Sequence, residues 1–446
     1  CSSDLTSVLG FCSHSKFASE TMSGGGDQIL HDFFIVAIFM LTVYVAGVIV
    51  GKLQAPQLVA HIGMGMLWMG TGLLPASFAK PLEAVGAVGL MLMLFDGGVN
   101  MDIPVLKKMG GRATAVALSG VAFPMLMSYI MFSAMGFGVM EGLACGSALA
   151  STGIGFTLTL MKDLDLLATP LGQLVAAAAM IDDVSSMVLL AILQGATSIV
   201  ETGEADPLAM MKPVIASLGL FAASIIIRMV ASKALAGGEE QDAKAEQQAA
   251  QMYLHEKILG IVTAGIAFAV IADKIGSTHL LGCFLAGVVA TAWKGFAEIW
   301  EPMVEPLLPW MTMAFFSCTV GFAVPVAALA AKDWGLVVAI VILAVVSKIA
   351  TGLFAGNPMQ KGYGLQALQV GAAMVGRGEL GFMQISTAYK LGMVSLGVYG
   401  GTVWGLLLAS IGGPFMFRAA VKYAQGQEAK TAGAEPQGAS PVTTAV

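Results

Sequence analysis

Thirteen apolar runs, most about 17–25 residues long and so of a length that can cross a bilayer, constrain the fold of this chain more than any other feature. They lie near 32–51, 57–74, 82–99, 113–135, 142–160, 170–195, 212–233, 257–273, 279–296, 306–325, 334–355, 365–390 and 397–418. A helix rising ~1.5 Å per residue needs about 20 such residues to span ~30 Å of hydrocarbon. Only 11% of the 446 residues are charged, where soluble domains carry about 25%, and the mean hydropathy is +0.83. The expected fold is an all-α polytopic membrane protein with about 13 transmembrane helices.

Basic residues give an independent reading of orientation, because cytoplasmic loops are enriched in them. With the N-terminus outside, the inside segments hold 14 Lys and Arg and the outside segments 6, while Lys348 and Arg377 lie within spans. This predicts an outside N-terminus and a cytoplasmic C-terminus, in a membrane whose identity stays open. Residues 1–31 form a Ser- and Gly-rich polar leader without a signal-peptide core, beginning at Cys1, which reads as a trimmed end. The membrane domain is expected over 32–418. Its longest polar connection, Ala234 to Glu256, reads as a solvated cytoplasmic linker between two halves. Residues 419–446 read as a disordered cytoplasmic tail.

Several function classes are excluded or unsupported. The net charge of −6 with dispersed basic residues gives no nucleic-acid footprint. Cys145, Cys283 and Cys318 sit in apolar runs and Cys1 and Cys12 in the leader, so the five cysteines make no disulfide framework. His31, His61 and His279 lack metal-ligand spacing and read as interfacial residues; the scattered methionines read as core filling. No GxGxxG fingerprint occurs, no cofactor is called for, and the chain does not read as an enzyme.

Against this background, the stretch Gly172 to Gln194 stands out by placing Asp182 and Asp183 at the middle of an apolar run. Each carboxylate at the bilayer centre costs roughly 2.5–3.5 kcal/mol on insertion scales. Carrying that cost twice in succession points to a pair that handles protons or cations; the alternative is a polar pair that only ties helices together. Adjacent helical residues diverge by ~100°, so the two acids cannot face one partner equally. Lys348, in VILAVVSKIATGLFAG, needs a buried counter-charge, which one aspartate can supply while the other faces a cavity. Alternatively, Lys348 snorkels to an interface.

Two spans carry glycines at mid-depth: Gly153 and Gly155 in GLACGSALASTGIGFTLTL, and Gly376, Gly378 and Gly381 in LQVGAAMVGRGELGFMQIS. Glycine weakens a helix by about 0.8–1 kcal/mol relative to Ala, so both can unwind locally, unless these glycines serve close packing alone. They are the middle members of two trios, spans four to six and eleven to thirteen, whose offset of seven spans gives opposite orientation. Interrupted segments at matching positions are a pointer to inverted repeats around a binding site. Thr152 and Ser151 offer hydroxyl oxygens beside the first break, or bond to their own backbone. Arg377 and Glu379 in the second can satisfy each other or freed carbonyls. Asp96, near the inner end of span three, remains ambiguous.

The ordered set PQLVAHIGMGMLWMGTGLLP, GLMLMLFDGGVNMD, AAMIDDV, HLLGCFLAG, FFSCTVGF and GAAMVGRGELGF resembles the monovalent cation:proton antiporter-2 family of the cation/proton antiporter superfamily. The resemblance runs over nearly all thirteen spans and implies a homodimer, with core helices at about 113–195 and 334–418, two crossed broken helices, and the remaining helices as a dimerisation scaffold. It implies elevator-type alternating access, Asp183 as the cation and proton site, Asp182 as the partner of Lys348, Thr152 at the crossing, and Arg377 and Glu379 in a supporting network. The paired acids resemble members that exchange sodium electrogenically, whereas potassium-efflux relatives more often place Gln before a single acid. Asn100 departs from the Glu usual after the GL pair. The expected partners are sodium, potassium or lithium, protons and the lipid bilayer, with sodium/proton exchange first, potassium/proton exchange as the alternative, and a cation channel or ion sensor as the reading of another class.

Overall fold

The computed structural model describes residues 14–53, 56–101, 103–153, 161, 164–167, 169–195, 207–236, 254–293, 295–324, 334–360 and 362–433. Among them the regular structure is helical throughout: α1 (His14–Lys52), α2 (Gln57–Thr71), α3 (Ala76–Val99), α4 (Ile103–Ala134), α5 (Val139–Ala150), α6 (Pro170–Gly195), α7 (Pro207–Ala236), α8 (Leu254–Lys274), α9 (His279–Ala290), α10 (Phe296–Val304), α11 (Leu308–Ala314), α12 (Trp334–Ile349), α13 (Tyr363–Ala373), α14 (Glu379–Lys390) and α15 (Leu396–Gly433). A π-helical turn, Phe315–Gly321, continues α11, and a 3₁₀ turn, Ala350–Phe354, continues α12.

Local chemistry sets the helix starts. Pro56 and Pro75 precede α2 and α3 in extended conformation, as a residue with fixed φ and no N–H donor allows. Thr169 accepts from Gly172 N–H at 3.2 Å just ahead of Pro170, combining a side-chain N-cap with proline in the first turn. Thr278 caps α9 by accepting from Leu281 N–H at 3.2 Å.

Seven helices among the described residues are long and apolar enough to span a bilayer, or eight if the pair α10 and α11, bent by 58°, counts as one. The expected thirteen crossings are not recovered by length alone. The physical reason is that several apolar runs fold as short pieces: α2 has 15 residues and α9 has 12, and the runs at 142–160 and 365–390 are interrupted. Two boundaries also shift. The helix of the first span already includes His14, within the expected leader, with no proline before Pro56 to interrupt it. The last helix runs on to Gly433, through part of the expected tail. Its Ala-, Gln- and Lys-containing extension favours helix.

Packing falls into two groups. Helices α4, α5 and α6 pack on one another and against α12 to α15, while α1, α2, α3, α9 and the π-helical turn form a second set, with α7 and α8 beside α9. Small residues bring the backbones of the second set together: a Cβ at Gly98 of α3 would lie 2.0 Å from the Phe284 carbonyl oxygen, and one at Gly287 of α9 would lie 2.1 Å from that of Phe95. Such reciprocal approaches are the means by which membrane helices associate. Of the most apolar stretch of each helix, 61% is buried in α6 and 17% in both α1 and α7. Helix α6 is therefore the most enclosed of the seven long helices. Phe34 and Leu41 of α1 and Leu218 and Ile226 of α7 are exposed apolar residues of the kind that face lipid.

Candidate functional site

The two interrupted spans meet at their breaks. Helix α5 ends at Ala150, and Ser151 turns extended, with φ −70° and ψ 138°. Helix α13 ends at Ala373, and α14 resumes at Glu379 after Gly378, also extended. Gly153 N–H donates to the Gly376 carbonyl at 2.9 Å, one break bonding to the other. A Cβ on Gly153 would lie 2.8 Å from Arg377 O, and one on Gly378 would lie 2.9 Å from Gly153 Cα. Glycine is required here because two backbones cross in contact. Residues 154–160, which include the expected Gly155, lie outside the described residues.

A helix end leaves backbone carbonyls without intrahelical partners, at the negative pole of its dipole. Two buried cations take that role for α5. Lys348 Nζ, from α12, donates to Ala150 O and at 2.9 Å to Thr152 Oγ1. Arg377, from the second break, donates to Leu149 O and to Ala344 O of α12. Ser410 of α15 donates to the Arg377 carbonyl at 3.2 Å. The expected use of Arg377 on freed carbonyls is thus observed, while the side chain of Glu379 is outside the described set.

Lys348 also reaches the paired acids. Its Nζ stands 3.2 Å from Asp182 Oδ1 and 3.4 Å from Oδ2, with both side chains fully enclosed. Lys348 therefore pairs at depth rather than snorkelling. Breaking such a pair by removing one member typically costs about 3–5 kcal/mol, because it strands a buried charge. Asp183, next on α6, is 8% exposed where Asp182 is 0%. Ser151 and Thr152 are also buried, and Ser151 Oγ has no protein partner.

Three contributors escaped the sequence reading. Gly120 of α4 makes room for the ion pair: a Cβ there would lie 3.2 Å from both Lys348 Nζ and Asp182 Oδ1. Gln384 of α14 donates to the Ser186 carbonyl of α6 at 2.7 Å. No charge or pattern marks these residues, although Ser186 stands four residues after Asp182, the spacing of one helix face. The structure also settles the ambiguous Asp96 and corrects the reading of His61. Asp96 accepts from Trp300 Nε1 and from Asn100 Nδ2, both at 3.0 Å, so it ties α3 to α10. His61, expected at an interface, is buried, with Nε2 2.4 Å from where a Cβ on Gly47 would stand; the glycine admits the ring between α1 and α2.

A helical bundle whose interrupted helices cross over buried acids and bases defines a membrane transporter fold. The same fold occurs in the sodium proton antiporter MjNhaP1 from Methanocaldococcus jannaschii, with a TM-score of 0.62 and 12% identity over 90% of this chain and 97% of that one. Residues 32–422 match the family model described as sodium/hydrogen exchanger, transmembrane. The chain belongs to that sodium/hydrogen exchanger family. It is 26% identical over 316 residues to the high-affinity Na(+)/H(+) antiporter NhaS3 of Synechocystis, a match covering 68% of this chain and 64% of that relative. It is 23% identical over 387 residues to the Na(+)/H(+)-K(+) antiporter GerN of Bacillus cereus, covering 86% and 95%.

Proposed function

We propose that this protein is a secondary active antiporter that exchanges sodium for protons at Asp183. The observation that carries the reading is the enclosed Asp182–Lys348 pair directly before a second acid on the same helix: the pair balances the charge of Asp182, and in this reading the changing charge of the cycle falls to Asp183. The names of NhaS3 and GerN agree with this chemistry.

Coupling follows from the cost of charge in a low-dielectric medium. A carboxylate moved across the membrane centre unaccompanied costs several kcal/mol. Asp183 carries a neutral carboxyl when protonated and a neutral ion pair when it holds a monovalent cation. Both occupied forms can move; the empty anionic form is penalised. Proton and cation therefore compete at one group, and each drives the other in the opposite direction.

The movement in this proposal is an elevator: α4 to α6 and α12 to α15 shift as one body against the other helices, carrying Asp183 between inward and outward access. The backbone bond between the two breaks supports a core that moves without parting at its centre. The protein works as a homodimer in the bilayer, with its N-terminus outside and its C-terminus cytoplasmic. Sodium is the first ion, and potassium and lithium are the comparisons.

The test uses purified protein in liposomes with an internal pH dye. Adding sodium outside should release protons from acid-loaded vesicles, and Asp183→Asn should abolish that release while retaining a monodisperse, folded protein. Proton flux that persists in Asp183→Asn would remove Asp183 from the mechanism.

A further inference from the structure

We propose that Gln384 Oε1 and Ser186 Oγ form part of the coordination shell of the transported cation beside Asp183, and that they set which monovalent cation is accepted. This rests on the exchange reading above and extends it to two residues outside the ion pair.

Both atoms belong to fully buried side chains and have no protein partner. Native interiors rarely keep such atoms without a reason, and here two occur on residues that touch each other across α6 and α14. The orientation of the amide is fixed by its surroundings: Gln384 Nε2 donates to the Ser186 carbonyl at 2.7 Å, so the remaining amide atom is the acceptor oxygen. Ser186 lies three residues after Asp183 and four after Asp182, which puts all three along one side of α6.

The opposite side of this small region is the first break. Gly381, one turn before Gln384 on α14, is so close to α5 that a Cβ there would lie 2.8 Å from Ser151 Oγ. Ser151 Oγ is itself buried and without a protein partner. Three neutral oxygens thus come from the end of α5, from α6 and from α14, elements that pack on one another. Alkali cations shed water in exchange for oxygen ligands of this kind, and the number and placement of those ligands decide which ion is preferred. Neither a primary amide nor an aliphatic hydroxyl titrates near neutral pH. These residues therefore act on the cation and leave the proton to Asp183.

The experiment measures exchange in proteoliposomes for Ser186→Ala, Gln384→Met and Asp183→Asn with sodium, lithium and potassium. Ser186→Ala removes one atom that has no protein partner, so the fold survives and this variant decides the matter even if Gln384→Met does not fold. Losing one ligand hydrogen-bond equivalent should raise KM for sodium about 5- to 10-fold, change the sodium-to-potassium ratio, and shrink the rise in Tm that sodium produces. The pH at which protons half-inhibit exchange should stay in place. KM values, ion ratios and sodium-dependent Tm shifts all unchanged in the folded variants, with Asp183→Asn inactive, would overturn the inference and leave the exchange reading standing. Exchange retained in Asp183→Asn would instead remove the reading on which the inference rests.

Discussion

Asp96 and Asp182 are both acids within apolar helices, and the protein satisfies them in opposite ways. Asp96 accepts one hydrogen bond from the indole of Trp300 and one from the amide of Asn100, both neutral donors. Asp182 faces the ammonium of Lys348, which at the same time holds Thr152 and the last carbonyl of α5. The first arrangement fastens two helices. The second joins a charge pair to a helix end at the crossing. Position in a span alone does not separate an acid held by neutral donors from one held in an ion pair; the kind of donor does.

The largest effect should come from breaking the charged arrangement. Lys348→Ala strands Asp182 in an enclosed site and should lower stability by about 3–5 kcal/mol, read as a fall in Tm in detergent. The double variant Asp182→Ala with Lys348→Ala should recover much of that loss while exchange stays absent. If the single and double variants melt alike, the pair is not the source of the stability. Next in size is the crossing itself. Gly153→Val forces a branched side chain against Arg377 O and Gly378 N and should cost about 1–3 kcal/mol as overpacking, with exchange lost before the fold; full exchange would mean that the breaks do not stay in contact during transport.

The smallest effect is expected at the acid with neutral donors. Asp96→Asn keeps an acceptor for Trp300, and Asn100 can turn its amide to meet the new group, so the loss should be about 0.5–1.5 kcal/mol. Exchange rates should stay within about twofold, since the change is remote from the crossing. A large loss of transport in Asp96→Asn would erase the distinction between the two regions.

Much of the working region was legible in the sequence because charge is conspicuous in apolar runs. Asp182, Asp183 and Lys348 stood out for that reason; the divergence of adjacent helical side chains called for one aspartate to face Lys348, and the family resemblance named Asp182, which stands 3.2 Å from it. The breaks were legible through glycines at matching places. What escaped is neutral or distant: Gly120 acts by leaving space, and the contact of Gln384 with Ser186 spans 198 residues without a charge at either end. Helix lengths were less legible, because a hydropathy run does not tell a full span from two half-helices or from a 12-residue piece such as α9. The continuation of α15 to Gly433 was hidden by polar composition, which a solvated helix shares with a disordered tail.

In the proposed cycle, proton and cation occupy Asp183 in turn. Its most direct test is the KM for sodium measured in proteoliposomes over a series of pH values, with the maximal rate recorded at each. Competition at one carboxyl predicts that KM rises as pH falls, approaching tenfold per pH unit at the acid end, while the maximal rate at saturating sodium holds steady. A KM that is the same across the series, with only the maximal rate changing, would mean that the two ions use separate groups.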